Sequence, residues 1–163
     1  MVDLMQGDPD IIEFLNEALT AELTAINQYF AHAKLCENWG YGRLAAYYRK
    51  ESIEEMNDAE TLMDRIPLLD GMPNLQRLGN VRVGETVEEQ LQLDAELEQA
   101  AIERYRRGVV LALEKGDAGT REMLEQLVVG EEHHLDWIET QQNVIRDIGI
   151  ERYQQTMVIP LEG

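Results

Sequence analysis

Four long stretches of the chain place apolar residues at intervals of three and four, which is the period of an α-helix with one buried face. The four stretches and a short fifth helix cover about residues 9–38, 43–69, 86–115, 118–148 and 150–157. Residues 71–85 lack this period and form one long connection between two helical hairpins. The pattern predicts an all-α four-helix bundle with one long crossover and a short C-terminal helix.

The chain length suits one domain. At 163 residues it can bury a core without disulfides, and we predict a single domain over residues 1–163, with residues 1–7 as an N-terminal extension. Asp8 and Pro9 have the residue types of an N-cap and a first helical position. Thr86 and Glu89 have the spacing of a capping box at the start of the third helix.

The charge balance excludes several classes of partner. Thirty-two acidic residues against fourteen basic ones give a formal net charge of -18, so we expect neither nucleic acid nor an anionic membrane to be bound. Cys36 is the only cysteine, which rules out an internal disulfide and a Cys-x-x-Cys site. No signal peptide or membrane-spanning segment is recognisable, and we expect a cytoplasmic protein.

The most informative feature is a set of acids inside the apolar stripes. The first and third helices each carry one such acid, and the second and fourth each carry a pair three residues apart. These residues are Glu22, Glu55, Asp58, Glu98, Glu131 and His134. Because residues three or four apart lie on one helix face, a single cross-section of the bundle can hold all six.

Buried carboxylates so close together would repel one another unless cations neutralise them. Two divalent ions would do so, and mixed oxygen and imidazole ligation suits iron. The arrangement also matches the general description of di-iron carboxylate bundles. The alternative is that individual acids extend to solvent or form ion pairs with Arg104, Arg49 or Lys50.

Four segments resemble the bacterioferritin family. They are Glu22–Phe30, Glu51–Met56, Gly71–Gln76 and Glu131–Trp137, and the similarity extends from about Met5 to Met157. The resemblance implies a ferritin-like fold, iron storage and detoxification, and oxidation of Fe(II) by O2 or H2O2. It also implies mineral deposition in a shell of twenty-four subunits built from two-fold dimers, haem b shared between two subunits, and a ferredoxin-type reductant.

The resemblance also assigns roles to individual residues. It places Glu22, Glu55, Glu98, Glu131 and His134 at ferroxidase ligand positions, with Glu55 and Glu131 as bridging ligands. Tyr29 corresponds to a redox-active tyrosine, although an ordinary core aromatic explains it equally well. Met56 corresponds to an axial haem ligand, and its alternative is a methionine that fills an apolar dimer contact.

Asp58 departs from the family pattern, which has histidine at this place. Its carboxylate is shorter and, as expected for an aspartate, ionised at neutral pH, yet it can still bind iron directly or through water. The departure motivates a second hypothesis, a haem-carrying structural or electron-transfer subunit that co-assembles with an active second bacterioferritin subunit. A rubrerythrin-like peroxidase would need more cysteines, and the acidity argues against a DNA-protecting miniferritin.

Overall fold

The computed structural model describes residues 6–158, and these residues form five α-helices. The helices are α1 (Pro9–Trp39), α2 (Gly42–Leu68), α3 (Val87–Glu114), α4 (Ala118–Ile148) and α5 (Ile150–Thr156). The predicted fold class is confirmed: α1 pairs with α2, α3 pairs with α4, and a long crossover joins the two hairpins. Most of the predicted N-terminal extension, residues 1–5, lies outside the described part of the chain.

Side-chain caps account for the starts of α1 and α3. Asp8 Oδ1 accepts a hydrogen bond from the backbone nitrogen of Asp10 at 2.8 Å, next to Pro9 in the first turn. Thr86 Oγ1 accepts from the nitrogen of Glu89 at 3.1 Å, which is one half of the capping box. The other half differs from the expectation, because Glu89 Oε2 accepts from the nitrogen of Glu85 instead of Thr86.

The apolar core is divided into two clusters along the bundle axis. One contains Leu15, Leu19, Leu62 and Leu124 among its members, and the other is built around residues such as Tyr48, Leu91 and Ile138. Along each long helix, the buried acid of the candidate site falls between residues of the two clusters. The four-helix bundle therefore encloses a carboxylate layer between two apolar regions, and each region shields it from solvent along the axis.

The crossover is fixed to one face of α1 by three side chains spaced one turn apart. Thr24 Oγ1, Gln28 Oε1 and His32 Nε2 accept hydrogen bonds from the backbone nitrogens of Gly79, Arg82 and Gly84 at 2.8, 3.2 and 2.9 Å. This ladder satisfies backbone donors that lack a helical partner. It also fixes the rotation of α1, the helix that carries Glu22.

His32 joins this ladder to α3. Its Nδ1 lies 2.9 Å from Asp94 Oδ2, and Asp94 Oδ1 accepts from Gln28 Nε2 at 2.9 Å. Because Nε2 accepts from Gly84, the proton of the neutral ring resides on Nδ1. His32 is thus a buried structural residue, in line with its exclusion from the predicted ligand set.

The short helix α5 packs on the end of the bundle. Tyr153 is buried, and its hydroxyl donates to Gln141 Oε1 of α4 at 2.9 Å. The backbone nitrogen of Arg43 donates to the carbonyl of Met157 at 2.9 Å, which attaches the segment after α5 to the start of α2. Within residues 6–158, no helix combines the length and apolar character that crossing a membrane requires.

Candidate metal centre

The structure brings all six predicted site residues into the carboxylate layer. Their ligand atoms form two groups, and within each group the atoms lie within 4.8 Å of one another. The histidine half-site is Glu55, Glu98, Glu131 and His134, and the oxygen half-site is Glu22, Glu55, Asp58 and Glu131. Glu55 and Glu131 belong to both groups. This sharing is the arrangement expected of two carboxylates that bridge two cations.

The two glutamates that belong to both half-sites differ from Glu22 and Glu98 in how many of their oxygens accept hydrogen bonds. Both side-chain oxygens of Glu55 and of Glu131 are buried without a hydrogen-bond partner. Glu22 and Glu98 each have only one such oxygen, Oε2 in both cases. Two carboxylates therefore have both oxygens free for cations, and two have one oxygen free.

A tyrosine hydroxyl occupies the remaining oxygen of each terminal carboxylate. Tyr29 donates to Glu98 Oε1 at 2.5 Å, and Tyr105 donates to Glu22 Oε1. Both tyrosines are fully buried, and they come from opposite apolar clusters. The sequence analysis had assigned a site role to Tyr29 alone. The contact of Tyr105 with Glu22 cannot be predicted from the spacing along one helix, because it depends on the relative position of two helices.

His134 lies at the centre of the histidine half-site. Its Nδ1 is 3.3 Å from Glu55 Oε1, 3.7 Å from Glu98 Oε1 and 3.9 Å from Glu131 Oε1. The Nδ1 atom has no hydrogen-bond partner although it is buried. Nδ1 therefore points into the carboxylate layer, where it is available to bind a cation.

Glu51 is the site residue that the sequence analysis missed. It is buried, and its Oε2 lies 3.1 Å from Nε2 of His134, on the side of the ring away from the layer. A carboxylate at this place orients a metal-binding imidazole. The signal was present in the sequence, because Glu51, Glu55 and Asp58 are four and three residues apart and share one face of α2.

Burial and mutual repulsion separate the pKa values of the layer. Burial and the charges of Glu22 and Glu131 raise the pKa of Glu55 well above its usual range, and burial with the Glu98 charge does the same for Glu131. Burial alone would also raise the pKa of Glu98, but the neighbouring His134 ring and the Tyr29 hydroxyl together outweigh it and lower the pKa. Burial would lower the pKa of His134, yet the surrounding carboxylates raise it to about 9. Without a cation, the layer must hold protons in place of positive charge.

Asp58 differs from the sequence-based expectation of an ionised carboxylate. Burial, followed by repulsion from Glu22, raises the pKa of Asp58 to about 7, so only part of the population is ionised at neutral pH. The reason is that the expectation used the solvent value, whereas Asp58 faces the buried layer. Its position, however, agrees with the predicted face of α2.

The alternative that these acids form ordinary ion pairs does not fit the geometry. Glu22, Glu55, Glu98 and Glu131 are all buried and do not extend to solvent. Among residues 6–158, His134 is the only cationic group within 4 Å of any of them. The uncompensated oxygens of the layer therefore fit two divalent cations, such as iron, better than any protein partner present.

A cavity connects the layer to the surface. It has a volume of about 310 Å³ and is enclosed by α1, α3 and the crossover segment that contains Gly79 and Arg82. Its inner wall includes Glu22, Glu55 and Glu131. This cavity is therefore the candidate entry route for small ions and oxidants.

Met56 lies outside the layer, on the exposed face of α2. Its side chain is 54% exposed, and Ile53, three residues earlier on the same face, is 51% exposed. Phe30 on the neighbouring helix α1 is 48% exposed. We name Phe30, Ile53 and Met56 the exposed apolar face. A thioether among such side chains fits the predicted haem position, and it equally allows the alternative of an apolar dimer contact.

Comparison with known proteins places these features in context. A family model described as the ferritin-like domain matches residues 12–148. The bacterioferritin of Streptomyces coelicolor is 53% identical over 154 residues, which cover 94% of this chain and 92% of the relative. Bacterioferritin BfrA of Mycobacterium tuberculosis is 48% identical over 94% of this chain and 97% of its own length.

Solved structures show the same similarity in three dimensions. A structure of Mycobacterium tuberculosis BfrA superposes with a TM-score of 0.93 at 48% identity, covering 95% of this chain and 98% of that one. A mycobacterial bacterioferritin structure gives a TM-score of 0.94 at 50% identity, covering 98% and 99% of the two chains.

Proposed function

Since this chain belongs to the bacterioferritin family of ferritin-like proteins, we propose that it stores iron after oxidising Fe(II) to Fe(III) within its own helical bundle. The substrates are Fe(II) and either O2 or H2O2. Two Fe(II) ions release two electrons, which reduce O2 to H2O2 or H2O2 to water when two protons are taken up. The Fe(III) product is then deposited as mineral inside a shell of subunits.

The observation that carries this proposal is the distribution of unpaired oxygens in the carboxylate layer. Glu55 and Glu131 have both oxygens free and are suited to bridge two ions, whereas Glu22 and Glu98 have one free oxygen each. Tyr105 and Tyr29 hold the other oxygen of these terminal carboxylates. Such fixed ligands lower the cost of ordering the site when Fe(II) arrives.

The remaining side chains of the layer have separate tasks. His134 offers Nδ1 to one iron while Glu51 holds Nε2, and Asp58 offers a carboxylate to the other iron. Binding of Fe(II) displaces the protons that the raised pKa values of Glu55 and Glu131 retain. Tyr29, which donates to Glu98, is the residue proposed to be redox-active beside the irons.

Haem b is the second cofactor of the proposal. Met56 from each of two chains would bind the haem iron, and the exposed apolar face would offer the haem an apolar surface. Bound there, haem supplies a one-electron carrier for release of stored iron, and a ferredoxin-type protein is the expected reductant. The support is the exposed thioether within the exposed apolar face.

Assembly of the shell belongs to the same proposal. Twenty-four chains, paired through two-fold dimers, would enclose the mineral. The exposed apolar face supports such a dimer contact, because half-exposed apolar side chains on paired helices are stabilised when a second copy covers them.

Asp58 favours one alternative function. A carboxylate in place of the family's histidine could leave oxidation slow, in which case the chain would serve as a haem-carrying subunit beside an active bacterioferritin subunit. The variant Asp58→His distinguishes the two functions. A moderate increase over a rate that is already fast supports the ferroxidase, whereas a rate that exceeds buffer only in the variant supports the alternative.

The direct test of the proposal compares aerobic Fe(II) oxidation by the iron-free protein and two variants. Glu22→Gln removes a terminal ligand and should abolish the rapid phase. Glu13→Gln makes the same change at an exposed position of the same helix and should leave the phase intact. Equal rates in the protein and Glu22→Gln would contradict the proposed site.

A further inference from the structure

We propose that the two metal positions take different ions: the histidine half-site binds Fe²⁺, and the oxygen half-site accepts Mn²⁺ when both ions are present. The result is a mixed manganese and iron pair within one bundle. This inference rests on the proposed function, because it assigns metals to the same carboxylate layer. It concerns the metal preference of Glu22, Glu55, Asp58 and Glu131, which the overall fold leaves open.

The donor atoms of the two half-sites differ in chemical type. The oxygen half-site consists of four carboxylates, whereas the histidine half-site contains one imidazole nitrogen. Among the ion pairs of residues 6–158, His134 Nδ1 approaches Glu55, Glu98 and Glu131, and it does not come within 4 Å of Glu22 or Asp58. The nitrogen donor therefore serves one position only.

This difference changes the discrimination between neighbouring metals. Imidazole nitrogen binds Fe²⁺ more strongly than Mn²⁺, and carboxylate oxygen is the donor type that suits Mn²⁺. Replacing nitrogen by the Asp58 oxygen removes most of the preference for Fe²⁺ at that position. Relative abundance of the two ions then decides which one occupies the oxygen half-site.

The oxygen half-site is a built site and not a chance group of surface acids. Glu22, Glu55 and Glu131 are at most 2% exposed, and five of their six oxygens are buried without a hydrogen-bond donor. The sixth oxygen, Glu22 Oε1, is held by the Tyr105 hydroxyl. A cation at their centre offsets the cost of burying these side chains in their charged form.

The cavity reaches the two half-sites unequally. Its wall contains Glu22, Glu55 and Glu131 but neither Glu98 nor His134. Glu22 belongs to the oxygen half-site alone. An ion at this position would therefore lie beside the cavity wall, whereas the two residues that belong to the histidine half-site alone, Glu98 and His134, do not line the cavity.

The test is metal localisation in the assembled, metal-free protein after anaerobic exposure to equal concentrations of Mn²⁺ and Fe²⁺. Crystals of this sample are measured on both sides of the manganese and iron absorption edges, which distinguishes the two metals at each position. We expect a Mn-to-Fe ratio at the oxygen half-site at least about tenfold higher than at the histidine half-site.

Three variants on α2 connect this ratio to position 58. Asp58→His should reduce the ratio at the oxygen half-site toward that of the histidine half-site, because it supplies a nitrogen donor. Asp58→Glu retains an oxygen donor and should keep the ratio high. Asp64→His introduces the same histidine at an exposed position of the same helix and should change nothing.

The outcomes separate the inference from the function on which it rests. Equal Mn-to-Fe ratios at both positions would overturn the inference while leaving a two-metal site intact. A high ratio that persists in Asp58→His would overturn the role of Asp58. Absence of both metals from the bundle would overturn the proposed function itself. If Asp58→His does not assemble, the wild-type protein and Asp58→Glu still decide the question.

Discussion

The Nε2 atom of His134 lies 3.1 Å from Oε2 of Glu51, on the opposite side of the imidazole from the carboxylate layer. Glu51 is one helical turn before Glu55 on α2, so one helix face supplies both a carboxylate of the layer and the group that orients its histidine. The contact places a carboxylate beside Nε2 and leaves Nδ1 directed at the layer. Precise orientation of this kind is what a metal-binding imidazole requires.

Loss of the Glu51 carboxylate should weaken metal binding without removing a ligand. For Glu51→Gln we predict an Fe(II) affinity reduced by about 10- to 100-fold, the usual effect of losing an orienting partner. Anaerobic titration calorimetry measures it. Glu60→Gln is the matched control, because it makes the same change at an exposed position of α2. An unchanged affinity in Glu51→Gln would show that His134 is oriented by other contacts.

The carboxylate layer should reduce the stability of the metal-free protein. Glu131 has two buried oxygens without donors, and its raised pKa keeps it protonated. Glu131→Gln imitates that protonated form, and because glutamine does not ionise in the unfolded state, the variant folds without taking up a proton. We predict a free energy of unfolding that is higher by on the order of 1 kcal/mol in the metal-free state. Guanidinium unfolding measures this change.

The same variant should lose most of the stabilisation that Fe(II) gives to the protein, because a shared ligand is missing. Relative to the parent protein, Glu131→Gln should thus be more stable without metal and less stable with Fe(II) bound. If Glu131→Gln is less stable than the parent without metal, the layer is not under electrostatic strain.

Asp58 should make the metal-free protein sensitive to pH below neutrality. Its pKa is raised from 3.8 to about 7, so the folded state retains a proton that the unfolded state has released. Stability from this group is therefore fully present below pH 3.8 and declines as pH rises toward 7. Asp58→Asn cannot titrate, and we predict a flatter dependence of unfolding free energy on pH in this interval.

Chemical unfolding at several pH values between these limits measures the difference between parent and variant. Asp64→Asn, at an exposed position of the same helix, controls for the loss of one negative charge. If the free energy of unfolding depends on pH in the same way in the parent and in Asp58→Asn, the raised pKa of Asp58 is contradicted.

Much of this site can be predicted from the sequence because helical periodicity is a local property. The spacing of Glu55 to Asp58 and of Glu131 to His134 determines that each pair shares a face, whatever the rest of the fold does. The contacts between Tyr105 and Glu22 and between His134 and Glu51 depend on how neighbouring helices are aligned. No local pattern encodes that alignment. The ionisation of Asp58 at neutral pH was mispredicted for a related reason, because the extent of its burial and its distance from Glu22 are properties of the assembled bundle.

Met56 should be required for haem but not for iron oxidation. We predict that Met56→Leu, which keeps the apolar volume but removes the thioether, abolishes the Soret absorption of protein reconstituted with haem. Met72→Leu changes another exposed methionine, on the crossover, and should retain the absorption. The measurement is the absorption spectrum of the parent, Met56→Leu and Met72→Leu after reconstitution with haem. An unchanged Soret band in Met56→Leu would reject Met56 as the axial ligand.

The central claim is that the carboxylate layer is a working two-iron ferroxidase centre. Its most direct test is stopped-flow measurement of aerobic Fe(II) oxidation as increasing amounts of Fe(II) are added to the iron-free assembly. We expect a fast phase whose amplitude stops growing at about two iron ions per chain. A rate equal to that of buffer, or a fast phase that saturates at one iron ion, would contradict it.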